Sequence, residues 1–326
     1  MREQTIENNK GNVDMENPLA QVQSINFIDV GCSGSLDDKW SSLFTDLFYV
    51  GFDPNAVECE RLNNKTHKYK SARYLPYAIA GEQGIKTMYK TENIYCYSLL
   101  PPNPKWVNRF SFSHLFKEAG TESVNCTTLD FIAQENNLTA DIIKIDTQGL
   151  ELPILKSAET LLKDVFCLDV ETGLVEDYIG ETKYSDIDIF LRKRGFLMFD
   201  MNIYRISRKN PLSRYGKHQP IWCESMWLFD FIGNNRTVTR EQALKYLKIC
   251  QALEYFDYGY ELACHFNRFN VIETELVRYL EKPENWIKGK SLMSKISHTM
   301  LGTIPKGITI RLLHKMQKLS HYNRNQ

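Results

Sequence analysis

Apolar residues recur along the chain in short unbroken runs, separated by stretches in which they return every three or four positions. The unbroken runs predict seven buried strands: Ile25–Val30, Phe48–Asp53, Leu75–Ala80, Asp141–Asp146, Val165–Glu171, Phe196–Ile206 and Met226–Ile232. The periodic stretches predict helices. They cover Leu36 to Leu47, Asn55–Leu62, Thr128–Ile132, Leu150–Leu162 and Tyr184–Arg194, and the last of these should stop at Gly195.

The order of these elements predicts the fold class. Strands that alternate with helices and are apolar throughout are typical of a mostly parallel sheet covered by helices on both faces. The last two strands have no helix between them and should pair antiparallel. We therefore predict a Rossmann-like α/β domain with a seven-stranded, mostly parallel sheet, which matches the class I methyltransferase sheet more closely than a dehydrogenase sheet.

The limits of this domain follow from the same pattern. Residues 1–24 are polar and should form a mobile arm, so the α/β domain is expected to span 25–233. From Thr239 the pattern is helical, which predicts a helical C-terminal extension over 234–326. Inside the domain, Ile85–Lys90 is a candidate edge strand, whereas 92–125 lacks periodicity and should be a loop-rich excursion.

Composition excludes several classes of protein. Forty basic and forty acidic side chains cancel, so overall charge does not favour nucleic acid as a partner. The N-terminus has no apolar core of a signal peptide, and no run of about eighteen apolar residues could span a membrane. The eight cysteines are scattered without a Cys-x-x-Cys pair, as expected of free buried thiols. We therefore expect a cytoplasmic protein.

The first strand ends in a glycine turn that begins Gly31-Cys32-Ser33-Gly34, and the second ends at Asp53. Such a turn lets the backbone approach a ligand, and the acid binds ribose hydroxyls. The dinucleotide fingerprint Gly-x-Gly-x-x-Gly and the Gly-Lys-Ser/Thr of a P-loop are both missing. Asp29, just before the turn, would suit a cofactor with ammonium and sulfonium charges, and S-adenosylmethionine is such a cofactor.

A second informative run surrounds the end of the fourth strand, from Ile143-Lys144-Ile145-Asp146 to Gln148-Gly149-Leu150-Glu151. In open α/β sheets ligands bind outside the carboxyl ends of the strands, so Asp146 and Gln148 should face the site. Glu151 lies in the first turn of the next helix, where an acid is favoured electrostatically. A structural and a functional role are both open for it.

These runs together resemble the FkbM-type family of S-adenosylmethionine-dependent methyltransferases. The resemblance covers about 25–233 and rests on segments in consistent order: Phe27–Gly31, Gly51–Pro54, Tyr97–Leu99, Thr128–Asp130 and Ile143–Glu151. Downstream, Glu171 and the run Tyr178-Ile179-Gly180 resemble the branch of this family that carries Thr-Gln where other members carry Val-Glu. The family implies a Rossmann-like sheet, S-adenosylmethionine as donor, and usually O-methylation of a sugar or secondary-metabolite hydroxyl.

The resemblance also implies, by position, which residues bind the cofactor. Asp29, Gly31 and Gly34 should line its methionine end and Asp53 its ribose. Other residues expected near the cofactor are Ser33 and Pro54 in the same motifs, Ala78 and Ile79 beside the adenine, and Ser98. The turn departs from the family in having Cys32-Ser33 where Ala-Asn is commoner, so an asparagine contact is absent.

Transfer to a hydroxyl also needs a base to remove its proton. The candidates are Asp146, Glu171 and His114, with His218 as an outsider. Gln148 and Tyr178 are candidates for binding the acceptor. Two carboxylates on adjacent strand ends could instead hold Mg²⁺, but the sequence does not choose, so no metal site is predicted.

Two basic stretches suggest partners. The loop from Arg208 to Pro220 is either a solvated loop or binds a phosphate-bearing acceptor, a nucleotide sugar or lipid-linked glycan, through Arg214 and His218. The tail, 286–326, mixes eight Lys/Arg with apolar residues and has no acids. It would lie on the inner face of a membrane, or pack on the catalytic domain or on a second subunit of a homo-oligomer.

The leading hypothesis is an S-adenosylmethionine-dependent O-methyltransferase that acts on a saccharide, a glycan precursor or a secondary metabolite. One rival is an NAD- or nucleotide-sugar-binding oxidoreductase, against which the missing third glycine speaks. Another is a non-catalytic adenosyl-binding module, against which the intact acids Asp29, Asp53 and Asp146 speak. N-methylation is also open.

Overall fold

The computed structural model describes residues 17–287 except 23, 35 and 235. Within these residues the strands are β1 Ile25–Val30, β2 Leu47–Phe52, β3 Ser71–Leu75, β4 Ala78–Ile79, β5 Gly84–Thr91, β6 Glu118–Thr127, β7 Ile142–Ile145, β8 Cys167–Gly173, β9 Phe196–Ile206 and β10 Gln219–Phe229. The α-helices are α1 Ala56–Asn63, α2 Pro104–Val107, α3 Leu129–Glu135, α4 Glu151–Lys156, α5 Tyr184–Arg192, α6 Arg240–Ala252, α7 Phe256–Arg268, α8 Thr274–Leu280 and α9 Pro283–Trp286. The longest 3-10 helices are Asp38–Asp46, which follows β1, and Ser111–Phe116.

The main sheet has the strand order β3-β2-β1-β7-β8-β10-β9. Each strand pairs in parallel with its neighbour from β3 through β2, β1 and β7 to β8. Strand β10 is antiparallel to both β8 and β9. The predicted seven-stranded sheet with its antiparallel closing pair is therefore confirmed, and its order is that of class I methyltransferases. Because β9 runs in the same direction as β8, strands β1, β2, β7, β8 and β9 all end at one edge, which we call the carboxyl edge.

The third predicted strand, Leu75–Ala80, is wrong in its position. Strand β3 ends at Leu75, and Pro76, which has no backbone N–H for a ladder, separates it from β4. Strand β4 belongs to a second sheet of order β4-β6-β5, in which β5 matches the predicted edge strand. Strand β6 lies inside the stretch predicted to be loop-rich, and its first six residues are exposed, so no apolar pattern marks it.

The helical region after β10 packs closely on the main sheet. The ring of Tyr246 in α6 stacks on Phe166 at a centroid distance of 4.5 Å, and Lys245 Nζ lies 3.5 Å from Asp141 Oδ2. The chain divides into two compact units, Met1–Val277 and Arg278–Gln326, so α6 and α7 belong to the same unit as the sheet. This division differs from the boundary predicted at 233–234.

Both predicted terminal segments lie largely outside the described residues. Of the predicted arm, the described part includes a 3-10 helix, Pro18–Gln21, in which Leu19 is buried. Of the basic tail, only Trp286 and Ile287 are described. No helix within the described ranges is long and apolar enough to cross a membrane. All eight cysteines are free thiols and seven are buried, in agreement with their spacing.

Candidate active site

The carboxyl edge brings together the two sequence runs that were expected to carry the chemistry. Val30 of β1 lies beside Phe52 of β2 and Ile145 of β7, because the three strands pair in parallel and in register. The residues that follow these strands, the glycine turn, Asp53 and Asp146, therefore meet at the same place. Strand β8, paired with β7, adds Glu171 near its own carboxyl end.

The glycine turn fits tightly against the end of β7. Gly31 has a φ of +85°, and a β-carbon placed on it would lie 1.9 Å from the carbonyl oxygen of Asp146. The N–H of Gly31 also donates to the carbonyl of Phe52 at 2.9 Å. Gly34 has a φ of +98°, but a β-carbon there would meet no atom of the described residues within 4 Å. Gly31 is thus required for packing, whereas Gly34 faces open space.

Asp53 is tied to the turn by a side-chain hydrogen bond. The Ser33 hydroxyl donates to Asp53 Oδ2 at 2.6 Å, and the N–H of Asn55 donates to Asp53 Oδ1 at 2.8 Å. The carboxylate is 7% exposed, and the intervening Pro54 is exposed. These bonds hold an acceptor group where the ends of β1 and β2 meet.

Asp29 already has partners inside the protein. Its carboxylate is 3% exposed, accepts a hydrogen bond from the Tyr49 hydroxyl at 2.8 Å, and lies 3.4 Å from Lys144 Nζ. Burial raises the pKa of Asp29, and Lys144 opposes this shift. Burial acts to lower the pKa of Lys144, but Asp29 and Asp146 outweigh it and the net shift is upward. Asp29 therefore forms a buried ion pair between β1 and β7.

Asp146, Gln148, Glu171 and Tyr178 form one hydrogen-bonded group. The Gln148 amide nitrogen donates to Asp146 Oδ1 at 2.9 Å and to Glu171 Oε1 at 3.3 Å. The amide oxygen of Gln148 lies 3.0 Å from the Tyr178 hydroxyl, which can donate to it. Burial is the main reason that the pKa of Glu171 is raised, and the carboxylate of Asp146 raises it further. The side chain of Asp146 is 31% exposed, and Glu171 is also half-buried.

The turn that carries Gln148 is held in an unusual conformation. Gln148 has a φ of +57° and Gly149 a φ of +105°, both left-handed. Glu151 Oε1 accepts hydrogen bonds from the N–H and hydroxyl of Thr147 and from the N–H of Gly149 at 3.0 to 3.1 Å. Burial raises the pKa of Glu151 to about 7. Glu151 therefore has a structural role, that of shaping this turn.

Ser98 supports the same turn from the second sheet. Its hydroxyl donates to the carbonyl of Gln148 at 2.7 Å and accepts from the N–H of Leu100 at 3.0 Å. The side chain is 2% exposed. Ser98 thus contacts the turn that carries Gln148, and this is a support role that its motif did not predict.

Several predicted residues are not brought to the carboxylates. His114 is exposed, because Phe112 and Phe116 turn inward from the same 3-10 helix, and its Nδ1 lies 3.2 Å from the Ser111 carbonyl. In the described part of the chain it bonds neither Asp146 nor Glu171. His218 and Arg214 are exposed on the β9–β10 loop. Ala78 and Ile79 are buried in the second sheet, where Ala78 packs with Cys126.

The sequence did not reveal the charged groups on the sheet face beside Glu171. Glu224 lies opposite Glu171 across β8 and β10 and accepts a hydrogen bond from the Tyr204 hydroxyl at 2.8 Å. Lys39 Nζ lies 2.8 Å from Asp169 Oδ2 and 3.8 Å from Glu224 Oε2. A charged residue within an apolar strand was the available signal, but only strand register shows which of them are neighbours.

The donor set between the two acids fits hydrogen bonding better than a divalent cation. The Gln148 N–H groups point at both carboxylates, whereas Mg²⁺ binds oxygen ligands. Among the residues that the structure describes, no group of three or more His, Cys, Asp or Glu side chains could hold a metal ion.

Comparisons with known proteins agree with the sequence resemblance. The family model of the methyltransferase FkbM domain matches residues 34–198, just over half of the 326 residues. A search of curated proteins gave no match. A solved S-adenosylmethionine-dependent methyltransferase from Anabaena variabilis aligns with 13% identity over 63% of this chain and 77% of its own, with a TM-score of 0.31. Another from Methanosarcina mazei aligns with 12% identity over 64% and 93%, with a TM-score of 0.29.

Proposed function

The chain belongs to the FkbM methyltransferase family, and we propose that it transfers a methyl group from S-adenosylmethionine to a hydroxyl of a saccharide, glycan precursor or secondary metabolite. The observation that carries the proposal is the Asp146–Gln148–Glu171 group at the carboxyl edge. It supplies carboxylates where a class I sheet binds its ligands. A hydroxyl acceptor needs such a base, because its oxygen is a weak nucleophile until the proton leaves.

The residues of the first two strand ends fit the cofactor that the family implies. Open space above Gly34 leaves room for a ligand against the turn. Among the described residues, the Asp53 carboxylate accepts two hydrogen bonds, one from Ser33 and one from Asn55, and a carboxylate can accept about four. Ribose hydroxyls can therefore donate to it. Asp29, which is paired with Lys144, would contribute its negative charge to the part of the site that binds the methionine end of the cofactor.

The chemistry divides between donor and protein in a simple way. When bound, S-adenosylmethionine supplies a methyl group already activated for displacement. The protein positions the acceptor hydroxyl in line with that group and removes its proton as the new O–C bond forms. Glu171 suits the role of base because burial raises its pKa, so that its carboxylate, once ionised, accepts a proton more readily than a solvent-exposed carboxylate does.

Gln148 would hold Asp146 and Glu171 as two separate hydrogen-bond acceptors. Its amide donates to both, so each carboxylate retains lone pairs for a substrate proton. The Tyr178 hydroxyl lies between the Cys96 carbonyl at 3.1 Å and the Gln148 amide oxygen at 3.0 Å, and when it donates to the amide it orients the amide nitrogen toward the acids. Lys144 Nζ, 3.8 Å from Asp146 Oδ2, adds a positive charge beside this group.

The proposal includes acceptors that carry a phosphate group. Arg214 and His218 are proposed, as predicted from the sequence, to approach a phosphate on a nucleotide sugar or lipid-linked glycan. Both are exposed on a loop that begins at the carboxyl edge. The loop is therefore on the side of the sheet where an acceptor would approach.

The test measures S-adenosylhomocysteine release over a panel of sugars, nucleotide sugars, lipid-linked glycans and amines. We expect turnover with a hydroxyl acceptor, and a loss of about 100-fold or more in kcat for Glu171→Gln. Binding of S-adenosylhomocysteine, measured by calorimetry, should be unchanged in that variant and weakened by Asp53→Ala. Glu118→Gln, at an exposed residue of β6, is the matched control. Turnover of amines alone, or full activity of Glu171→Gln, would refute the proposal.

A further inference from the structure

The loop that joins β9 to β10, residues 207–218, begins and ends at the carboxyl edge. Strand β9 ends there at Ile206, and the antiparallel β10 starts there at Gln219, the two being register partners. The loop therefore projects from the same side of the sheet as Asp146 and Glu171. Anything that binds its tip would meet the protein with the candidate active site facing it.

Two large apolar side chains stand out from the tip of this loop. Leu212 is 73% exposed and Tyr215 is 77% exposed. Backbone hydrogen bonds fix them there: the N–H of Leu212 donates to Asn210 Oδ1 at 3.0 Å, and the N–H of Tyr215 donates to the Leu212 carbonyl at 3.0 Å. The short 3-10 helix Ser213–Tyr215 keeps both side chains outside any core.

The same loop is strongly basic in a protein whose overall charge is zero. Between Asp200 and Glu224 there are five Lys/Arg and no acid: Arg205, Arg208, Lys209, Arg214 and Lys217. Within the described residues, none of these five forms an ion pair with a carboxylate. Their charge is therefore uncompensated by carboxylates, and Arg214 lies directly against Tyr215.

The loop is fastened at its base to the segment before β6. The Arg208 guanidinium lies over the Phe110 ring at 4.7 Å and donates to Gln219 Oε1 at 2.5 Å. The N–H of Lys209 donates to the carbonyl of Arg109. The exposed side chain of Arg109 adds another cation beside the loop. A loop held in this way presents its tip in one orientation.

We propose that this loop docks the protein onto an anionic lipid bilayer. Leu212 and Tyr215 would enter the interface, where apolar and aromatic side chains leave water, and the cations would bind lipid phosphates. An aliphatic side chain at the tip favours lipid over nucleic acid, which binds through stacking on open aromatic faces. Here one face of Tyr215 is taken by Arg214, 5.1 Å from the ring centroid. The docking does not depend on the proposed reaction.

The test is co-sedimentation of the full-length protein with vesicles of phosphatidylcholine alone or mixed with phosphatidylglycerol. We expect binding only to the anionic vesicles, weakened by added salt. The double variant Leu212→Ser/Tyr215→Ser should lose about tenfold or more in partition coefficient, and so should Arg214→Gln/Lys217→Gln. Ile85→Ser/Tyr95→Ser, two residues equally exposed elsewhere (78% and 61%), should bind as the unchanged protein does.

Several results would overturn the proposal. Equal sedimentation with neutral vesicles, or undiminished binding of Leu212→Ser/Tyr215→Ser, would assign any membrane contact to another part of the chain. Displacement from vesicles by soluble pyrophosphate, but not by sodium chloride of equal ionic strength, would assign the cations of the loop to the acceptor phosphate alone. Binding of single-stranded RNA that depends on Tyr215 but not on Leu212 would identify a nucleic-acid surface. Unchanged S-adenosylhomocysteine affinity in the Leu212→Ser/Tyr215→Ser variant verifies that it is folded.

Discussion

Gly31 and Asp146 are packed so closely that a single added carbon on Gly31 would overlap the Asp146 carbonyl oxygen, at 1.9 Å. The first belongs to the turn that should hold the cofactor, and the second to the group that should meet the acceptor. This contact sets the distance between the two halves of the site. The acid side chain of Asp146 is therefore positioned by a backbone contact, and not by its own hydrogen bonds alone.

Replacing Gly31 by Ala should damage both stability and activity, whereas Gly34→Ala should be mild. Both glycines have a positive φ, which costs about 1–2 kcal/mol for alanine, but only Gly31 would also force two strands apart. We expect Gly31→Ala to lose about 3 kcal/mol or more in urea unfolding, and roughly 100-fold in kcat/KM. Equal free energies of unfolding for the two variants would show that the close approach of Gly31 to the Asp146 carbonyl does not determine stability.

A second prediction concerns the amide between the two acids. Gln148→Glu would place a third carboxylate beside Asp146 and Glu171 and raise the pKa of Glu171 further. Since a base works only when it is deprotonated, activity should be lost at low pH and regained at higher pH. The acidic limb of kcat/KM against pH should shift upward by about one unit.

Gln134→Glu, at an exposed position of α3, is the control for this change and should leave the pH profile unaltered. A loss of activity that is the same at every pH would mean that Gln148 only positions its neighbours. In that case the protonation of Asp146 and that of Glu171 would not be coupled.

Most of the main sheet could be predicted from the sequence because its central strands are nearly unbroken apolar runs, whereas the edge strand β3 is largely exposed and was misplaced. Strand β6 could not be predicted, because it packs only at its end and its first six residues are exposed. Polar strands of this kind are defined by their pairing with a neighbour, here β5, which lies some thirty residues away in the chain.

The candidate site was predictable only in its strand-end residues. Asp53, Asp146, Gln148 and Glu171 follow from topology, because parallel strands bring their carboxyl ends together. Pairings between side chains do not follow from spacing. Asp29 was expected at the methionine end of the cofactor, which stays a prediction, but its spacing along the chain did not indicate that Lys144 lies beside it across β1 and β7.

A third prediction tests this ion pair. Lys144→Met should leave the Asp29 carboxylate buried without its cation, and should cost about 3 kcal/mol in urea unfolding. The double variant Asp29→Asn/Lys144→Met should lose less, because the charge itself is gone and the Tyr49 hydroxyl can still donate to the amide oxygen that replaces the carboxylate. Arg240→Ala, which breaks an exposed pair with Glu273, is the control and should cost under about 1 kcal/mol. If the double variant is no better than Lys144→Met, the pair contributes mainly through packing.

The last prediction concerns the dependence of stability on pH. Burial raises the pKa of Asp177 to about 7, and the neighbouring Trp106 indole N–H opposes this shift only in part. The folded protein then binds a proton that the unfolded chain releases near pH 4, so this stability is complete at low pH and is lost as pH rises toward 7. The loss is roughly 1.4 kcal/mol per pH unit. Asp177→Asn should therefore flatten the fall in unfolding free energy between about pH 5 and 7, by roughly 2 kcal/mol, measured by urea titration. Glu135→Gln, at an exposed position, should leave the slope unchanged; an unchanged slope in Asp177→Asn would mean that Asp177 is charged in the folded protein.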